Sequence, residues 1–255
     1  MNYFPLGNEY FFAQEDNLEL VFEEQEKLET IYRLLQSADQ YIQRLKGRFD
    51  TYEGCRYLWI QNIMKYAKEA YNSAKIGNFI SLAIMERCII ENYVCACFIQ
   101  RYEKERLWEK WFISSIISSC NMLYKSTKDN QKQEEIQKYI DELCRDRGIS
   151  IDWDVRSEYG WTSAVLKKKK PTFYDLCEFV DLDIYKDYRM LCDFCHGVNA
   201  VNKIYRFTFV ETYLNLLSML VLYVQKSIKE LIEDSLDQNY QEQTILFWNM
   251  MEEWE

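Results

Sequence analysis

Residues 189–199, RMLCDFCHGVN, hold the single histidine of a 255-residue chain, and several kinds of chemistry are written around it. Cys192-Asp193-Phe194-Cys195-His196 has the spacing of a haem c attachment site and encloses a CxxC of redox type. The same cysteines with His196 could contribute ligands to zinc. Arg189 stands seven residues before His196. On a helix that separation returns to nearly the same face, about 10.5 Å further along the axis. A long guanidinium and a helix-terminal imidazole so placed can converge on one phosphodiester, the first neutralising charge and the second moving protons.

Most of these chemistries lack a setting. Haem attachment requires export, yet no Lys or Arg precedes Lys27 and no apolar leader core follows, so the sequence predicts a cytoplasmic protein. A redox CxxC needs a strand-to-helix context, and zinc needs four convergent ligands. The other close pair, Cys95 and Cys97, would splay around a helix. Nine cysteines, an odd number, lie mostly in apolar or helical stretches, as small buried side chains do in a reducing compartment. Protease templates need a base, which only His196 could supply, and a nucleophile on a separately oriented loop, which nothing here supplies; Cys192 is one turn away. Asp152-Trp153-Asp154 lacks an α/β setting, and seven scattered glycines form no phosphate loop. The expectation is therefore no metal and no cofactor. Arg189 and His196 remain, with a histidine simply packed at a helix end as the structural alternative. Asn199, closing the same stretch, is a supporting candidate.

A second polar cluster lies far upstream. Arg87 and Glu91 stand at i, i+4 amid Ile84, Met85, Cys88, Ile89, Ile90, Tyr93 and Val94. Charges in such surroundings must be paired. They form an internal salt bridge, or they line a pocket shared with Arg189 and His196 in which Glu91 orients an arginine.

The elements that must position these residues are helical. Only 7 Gly and 2 Pro occur, with 48% apolar residues and 20 Tyr, which suits long helices and compact turns. Residues 17–46 carry one apolar stripe. A second helix runs from Thr51 to Lys75 and stops at Gly77; Asn78 caps a third that is apolar nearly all round and therefore central. Helices follow near 105–125 and 131–147, the latter ending at Gly148. Residues 149–157 read as a loop, 158–168 as a short helix, and Thr172 with Asp175 as a capping box. A helix over 183–196 carries the opening motif, and an apolar one spans 205–236.

Polar interruptions at Thr208, Glu211, Thr212, Asn215 and Ser218 make that last helix a buried one and no membrane span. The predicted fold class is all-α: a single helical-bundle domain over 49–236, an amphipathic segment over 1–48 packing on it, and an acidic aromatic tail over 237–255. A net charge of −10 excludes a general nucleic-acid coat protein. Lys167–Lys170 is either a patch of local positive charge or a solvated loop.

RCIIENY on the central helix, then GWTSAV, then FYDLCEFVDLDIYKDYRMLCDFCHG resemble a bacterial all-helical family of unknown function. Its pattern is Arg-x-x-x-Glu, a Trp, Tyr-x-x-Tyr-Arg and a nearby His. In this chain those positions are Arg87, Glu91, Trp161, Tyr185, Tyr188, Arg189 and His196, over roughly residues 55–230, with Cys192 where a serine is expected. The Arg-x6-His element is also similar to the motif of HEPN ribonucleases, although Met190 stands where those enzymes place a polar residue. That resemblance implies a metal-independent endoribonuclease of bacterial defence or stress, working as a homodimer on RNA. Arg189 would stabilise the phosphorane, His196 would transfer protons, and Arg87, Glu91, Tyr188 and Asn199 would support them. The alternative is a non-catalytic helical module that binds a protein partner.

Overall fold

The computed structural model describes residues 18–45, 51–102, 107–148, 157–195, 206–232 and 238–252. Its elements are α1 (Gln25–Leu45), α2 (Thr51–Lys75), α3 (Phe79–Arg101), α4 (Leu107–Ser126), α5 (Asn130–Arg147), a 3-10 turn (Gly160–Thr162), α6 (Ser163–Leu166), α7 (Phe173–Val180), α8 (Asp183–Cys195), α9 (Arg206–Ile232) and α10 (Gln238–Glu252). No strand occurs among the described residues, so the fold is all-α. No helix among them is long and apolar enough to cross a membrane. The chain divides into two compact units, one of residues 1–96 with 186–255 and one of residues 97–185.

In the first unit, α1 packs against α2 and α10, and α2 against α9. Helical residues 18–23 lead into α1, and the i→i−4 ladder continues through Glu24. Leu28, Ile31, Leu35, Ala38 and Ile42, spaced by three and four, form the buried stripe of α1. On α2 the stripe begins with Trp59, Ile63 and Met64 and narrows to Ala67, Ala70 and Ala74. The methyl side chains let a neighbouring backbone approach closely, and the Tyr213 hydroxyl donates to the Ala74 carbonyl at 3.2 Å. Phe79 stacks on the Tyr213 ring at 4.8 Å. Gly77, at φ 69°, reverses the chain. Its amide and that of Asn78 close back on Ala74 and Ser73, and the Asn78 side chain then accepts from the Ser81 amide to start α3. Residues 238–252, within the segment read as an acidic tail, are helical and rest on α1, with Tyr240 and Phe247 buried.

The second unit contains the α4–α5 hairpin, whose core is Ile113, Ile117, Ile140 and Cys144. Asp129 caps α5 by accepting from the Gln131 and Lys132 amides, and Gly148 ends it at φ 63°. Around the C-terminal end of α3, Phe98 meets Trp161 and Phe179 edge-on at 6.0 and 5.9 Å. Thr172 and Asp175 form the expected capping box of α7. Beneath it, burial and the nearby Asp181 charge push the Cys177 thiol up to about 12, so it stays a neutral packing group.

Candidate functional site

Three consecutive residues of α8 face three ways, because each step around a helix turns about 100°. Asp187 Oδ2 accepts a 2.6 Å hydrogen bond from the Tyr223 hydroxyl on α9. Tyr223 is itself buried edge-on against Tyr93 of α3. Tyr188 turns toward α3, where its hydroxyl donates to Glu91 Oε1 at 2.9 Å and accepts from Arg87 Nη2 at 2.8 Å. Arg189 comes next and points to solvent. It is exposed, and no hydrogen bond or ion pair ties it to a described residue. Further along, Leu191 and Cys192 are buried. The helix is thus pinned through Asp187 and Tyr188, while its arginine bonds to no described residue.

The cluster on α3 is tied together through one carboxylate oxygen. Arg87 reaches Glu91 Oε1 through Nε at 3.2 Å and Nη2 at 3.1 Å, so one carboxylate oxygen receives both arginine nitrogens and the tyrosine hydroxyl. The guanidinium also lies 5.0 Å from the Tyr188 ring centroid, in cation–π range. Arg87 and Glu91 side chains keep 29% and 23% exposure, so the ion pair is half-buried, short of the full burial their apolar surroundings suggested. Burial pushes the Tyr188 phenol up, and the Glu91 charge and hydrogen bond push it further against the opposing pull of Arg87. The phenol therefore keeps its proton throughout the neutral range and serves as a fixed donor. Tyr66 on α2 is raised likewise, by burial first and then by Cys88 and Glu91.

Of the sequence-predicted residues, Arg87, Glu91 and Tyr188 are brought together, and Arg189 follows Tyr188 on α8 with no bond to any of the three. His196 and Asn199 lie outside the described residues. Trp161 is a buried core residue of the second unit, and Tyr185 meets Tyr174 edge-on there at 4.9 Å. Cys192 is a buried free thiol, and among the described residues no three His, Cys, Asp or Glu side chains gather as metal ligands.

Sequence reasoning passed over three residues. Asp187 and Tyr223 carry no local signal, since their contact joins two helices. Glu86, beside Arg87, is 1% exposed, and neither carboxylate oxygen finds a hydrogen-bond partner among the described residues. Burial pushes that carboxyl well above the usual range.

An all-helical protein whose arginine-bearing helix is braced by a Tyr–Glu–Arg triangle is the class these observations define. The chain belongs to a family of unknown function (DUF5677), whose model matches residues 57–213. That span includes Arg87, Glu91, Trp161, Tyr185, Tyr188, Arg189 and His196. No curated protein and no solved structure matches the chain.

Proposed function

We propose that the chain is a HEPN-like, metal-independent endoribonuclease that acts in the bacterial cytoplasm, in defence or stress, as a homodimer. The observation that carries this reading is Arg189, an exposed guanidinium with no ionic partner among the described residues, on a helix held by the two residues before it. Arginines with no electrostatic partner of their own, on a rigid element, suit a phosphate, whose oxygens match the guanidinium fork. His196 enters from the motif resemblance alone. In the reaction, the RNA 2′-hydroxyl gives up its proton to an imidazole and attacks the adjacent phosphorus. The bond to the 5′-oxygen breaks, that oxygen takes a proton, and a 2′,3′-cyclic phosphate remains. Arg189 would balance the charge of the phosphorane. One histidine per chain makes a homodimer the natural source of a second imidazole.

The test is cleavage of labelled RNA by purified protein in EDTA, with product ends identified. Activity should persist in EDTA, yield 2′,3′-cyclic phosphates, and disappear in Arg189→Ala and His196→Ala proteins of unchanged helicity, general acid–base work alone being worth roughly 10²–10⁴-fold. Cleavage surviving His196→Ala, or none by wild type across structured and unstructured RNA, overturns the proposal.

A second reading, a non-catalytic binding or regulatory module with a protein partner, is favoured by the bonds within the triangle. Arg87, Glu91 and Tyr188 are bonded to one another, and none is bonded to Arg189. Under that reading, substitutions in the triangle change stability and no reaction exists to lose.

A further inference from the structure

In the second unit, the loop between α6 and α7 is KKKKPT, residues 167–172. Lys167 takes left-handed geometry at φ 52°, ψ 35°, and is the one non-glycine residue with positive φ among those described. A side chain with a Cβ persists there only where its surroundings dictate it. Those surroundings are visible. The Lys168 amide closes on the Ser163 carbonyl, and Lys168 Nζ binds Asp175 Oδ1 at 2.5 Å. Asp175 Oδ2 accepts from both the Thr172 amide and hydroxyl at 2.7 Å, and Pro171 is buried. One buried carboxylate thus braces both ends of the loop. Burial raises its pKa, but the bonds from Lys168 and Thr172 outweigh that and hold the group charged.

The bracing neutralises one lysine of four. Lys167, Lys169 and Lys170 are exposed and have no hydrogen bond or ion pair with a described residue, in a chain whose net charge is −10. Three uncompensated ammonium groups on a fixed loop form a local positive field against the sign of the whole protein. Tyr174, four residues past Lys170, is exposed and held edge-on against Tyr185. The Glu178 charge and hydrogen bond push its phenol up, so the ring stays neutral.

We propose that this loop is a contact surface for single-stranded RNA, with Lys167, Lys169 and Lys170 meeting phosphates and Tyr174 stacking on a base. Lysines that track a backbone beside an aromatic platform are what sequence-tolerant single-strand binding requires. An anionic membrane would need an amphipathic apolar face beside the charge, and α6 is only four residues long. The choice of RNA among polyanions rests on the ribonuclease reading; the charge and bracing of the loop do not.

The experiment is fluorescence anisotropy of full-length protein with a labelled single-stranded 2′-O-methyl oligoribonucleotide, titrated over about 50–200 mM salt. The probe keeps every phosphate and has no 2′-hydroxyl to attack, so binding is read apart from cleavage. Replacing Lys167, Lys169 and Lys170 by Gln should lower the slope of log affinity against log salt by about 2, at roughly 0.7 per phosphate contact in single strands. The triple Arg variant should keep the slope. Lys169→Gln with Lys170→Gln, which leaves the left-handed position untouched, should give about two-thirds of the loss. Tyr174→Leu should weaken binding about tenfold, and Tyr174→Phe should restore it. An unchanged slope in the Gln variants, or no oligonucleotide binding by wild type, overturns the proposal. So does lysine-dependent binding confined to phosphatidylserine vesicles. Slope loss in a protein that never cleaves RNA leaves this surface standing and removes the ribonuclease. Cleavage together with an unchanged slope removes the surface alone.

Discussion

Replacing Glu86 by Gln should remove a pH dependence that the wild-type chain carries through a single buried carboxyl. Glu86 is 1% exposed and neither oxygen has a partner among the described residues, so ionising it in place would bury an uncompensated charge. Its pKa in the folded chain is raised well above the ordinary value of 4.5 by burial. The unfolded chain releases that proton near 4.5, while the folded chain keeps it to higher pH. Between those points the native state binds one proton more than the unfolded state, so stability falls as pH rises, by up to about 1.4 kcal/mol per pH unit. The full stability is present below about 4.5 and is lost upward. Glutamine has the same shape and cannot titrate. Urea unfolding of both proteins between pH 5 and 7.5, compared at constant m-value, isolates the term because every other group cancels in the difference. The wild type should lose ground to Glu86→Gln by up to about 1.4 kcal/mol for each unit, or roughly 3–6 °C in melting temperature. Any fixed offset from burying an amide is immaterial. Parallel curves across that range would mean that Glu86 titrates alike in both states, and the argument from its isolation would fail.

Glu91→Ala should cost about 1–2 kcal/mol in urea unfolding, between the 3–5 of a fully buried broken pair and the 0–1 of a surface pair, because the ion pair is half-exposed. Tyr188→Phe, which strips one hydroxyl from the same triangle, should cost about 1 kcal/mol. A melting curve unchanged in both would show that the triangle braces nothing. Asp175 has its pKa lowered in the folded chain, so its contribution is present above the ordinary value of 3.8 and fades as pH falls through the lower folded value; Asp175→Asn should melt below wild type at pH 6 and approach it in acid. Gly148→Ala should lose about 1 kcal/mol from left-handed strain alone, since an added Cβ meets no atom within 4 Å; a larger loss would point to a clash.

The helices that end in local chemistry were legible before any coordinates. Gly77 and Asn78 frame the α2–α3 turn, Gly148 ends α5, and Thr172 with Asp175 opens α7, each through bonds spanning six residues or fewer. Such signals are written in the residues that make them. The pairing of Arg87 with Glu91 was legible for the same reason, being one helical turn. What joined Tyr188 to them was not, because that bond bridges 97 positions and depends on how α8 lies against α3. Asp187 and Tyr223, 36 positions apart, escaped for the same reason.

Glu86 escaped for a different one. Its placement is local: Leu82 and Ala83, then Ile90 and Tyr93, stand at the helical spacings that put them on one face with it, and all four are buried. Periodicity alone therefore assigned Glu86 to the most buried stripe of α3. The competing rule, that a buried charge has a partner, drew attention to Arg87 and Glu91, which could satisfy each other within a turn. Glu86 has no acid or base one turn away to pair with, so a search for ion pairs passes it by. The structure resolves the conflict in favour of periodicity: a carboxyl that cannot be paired enters the core by keeping its proton, and the helix that supports the Tyr188 triangle carries that neutral acid on its inner face. A side chain of this kind is invisible to any search for ion pairs, yet the helical phase of its neighbours is enough to find it.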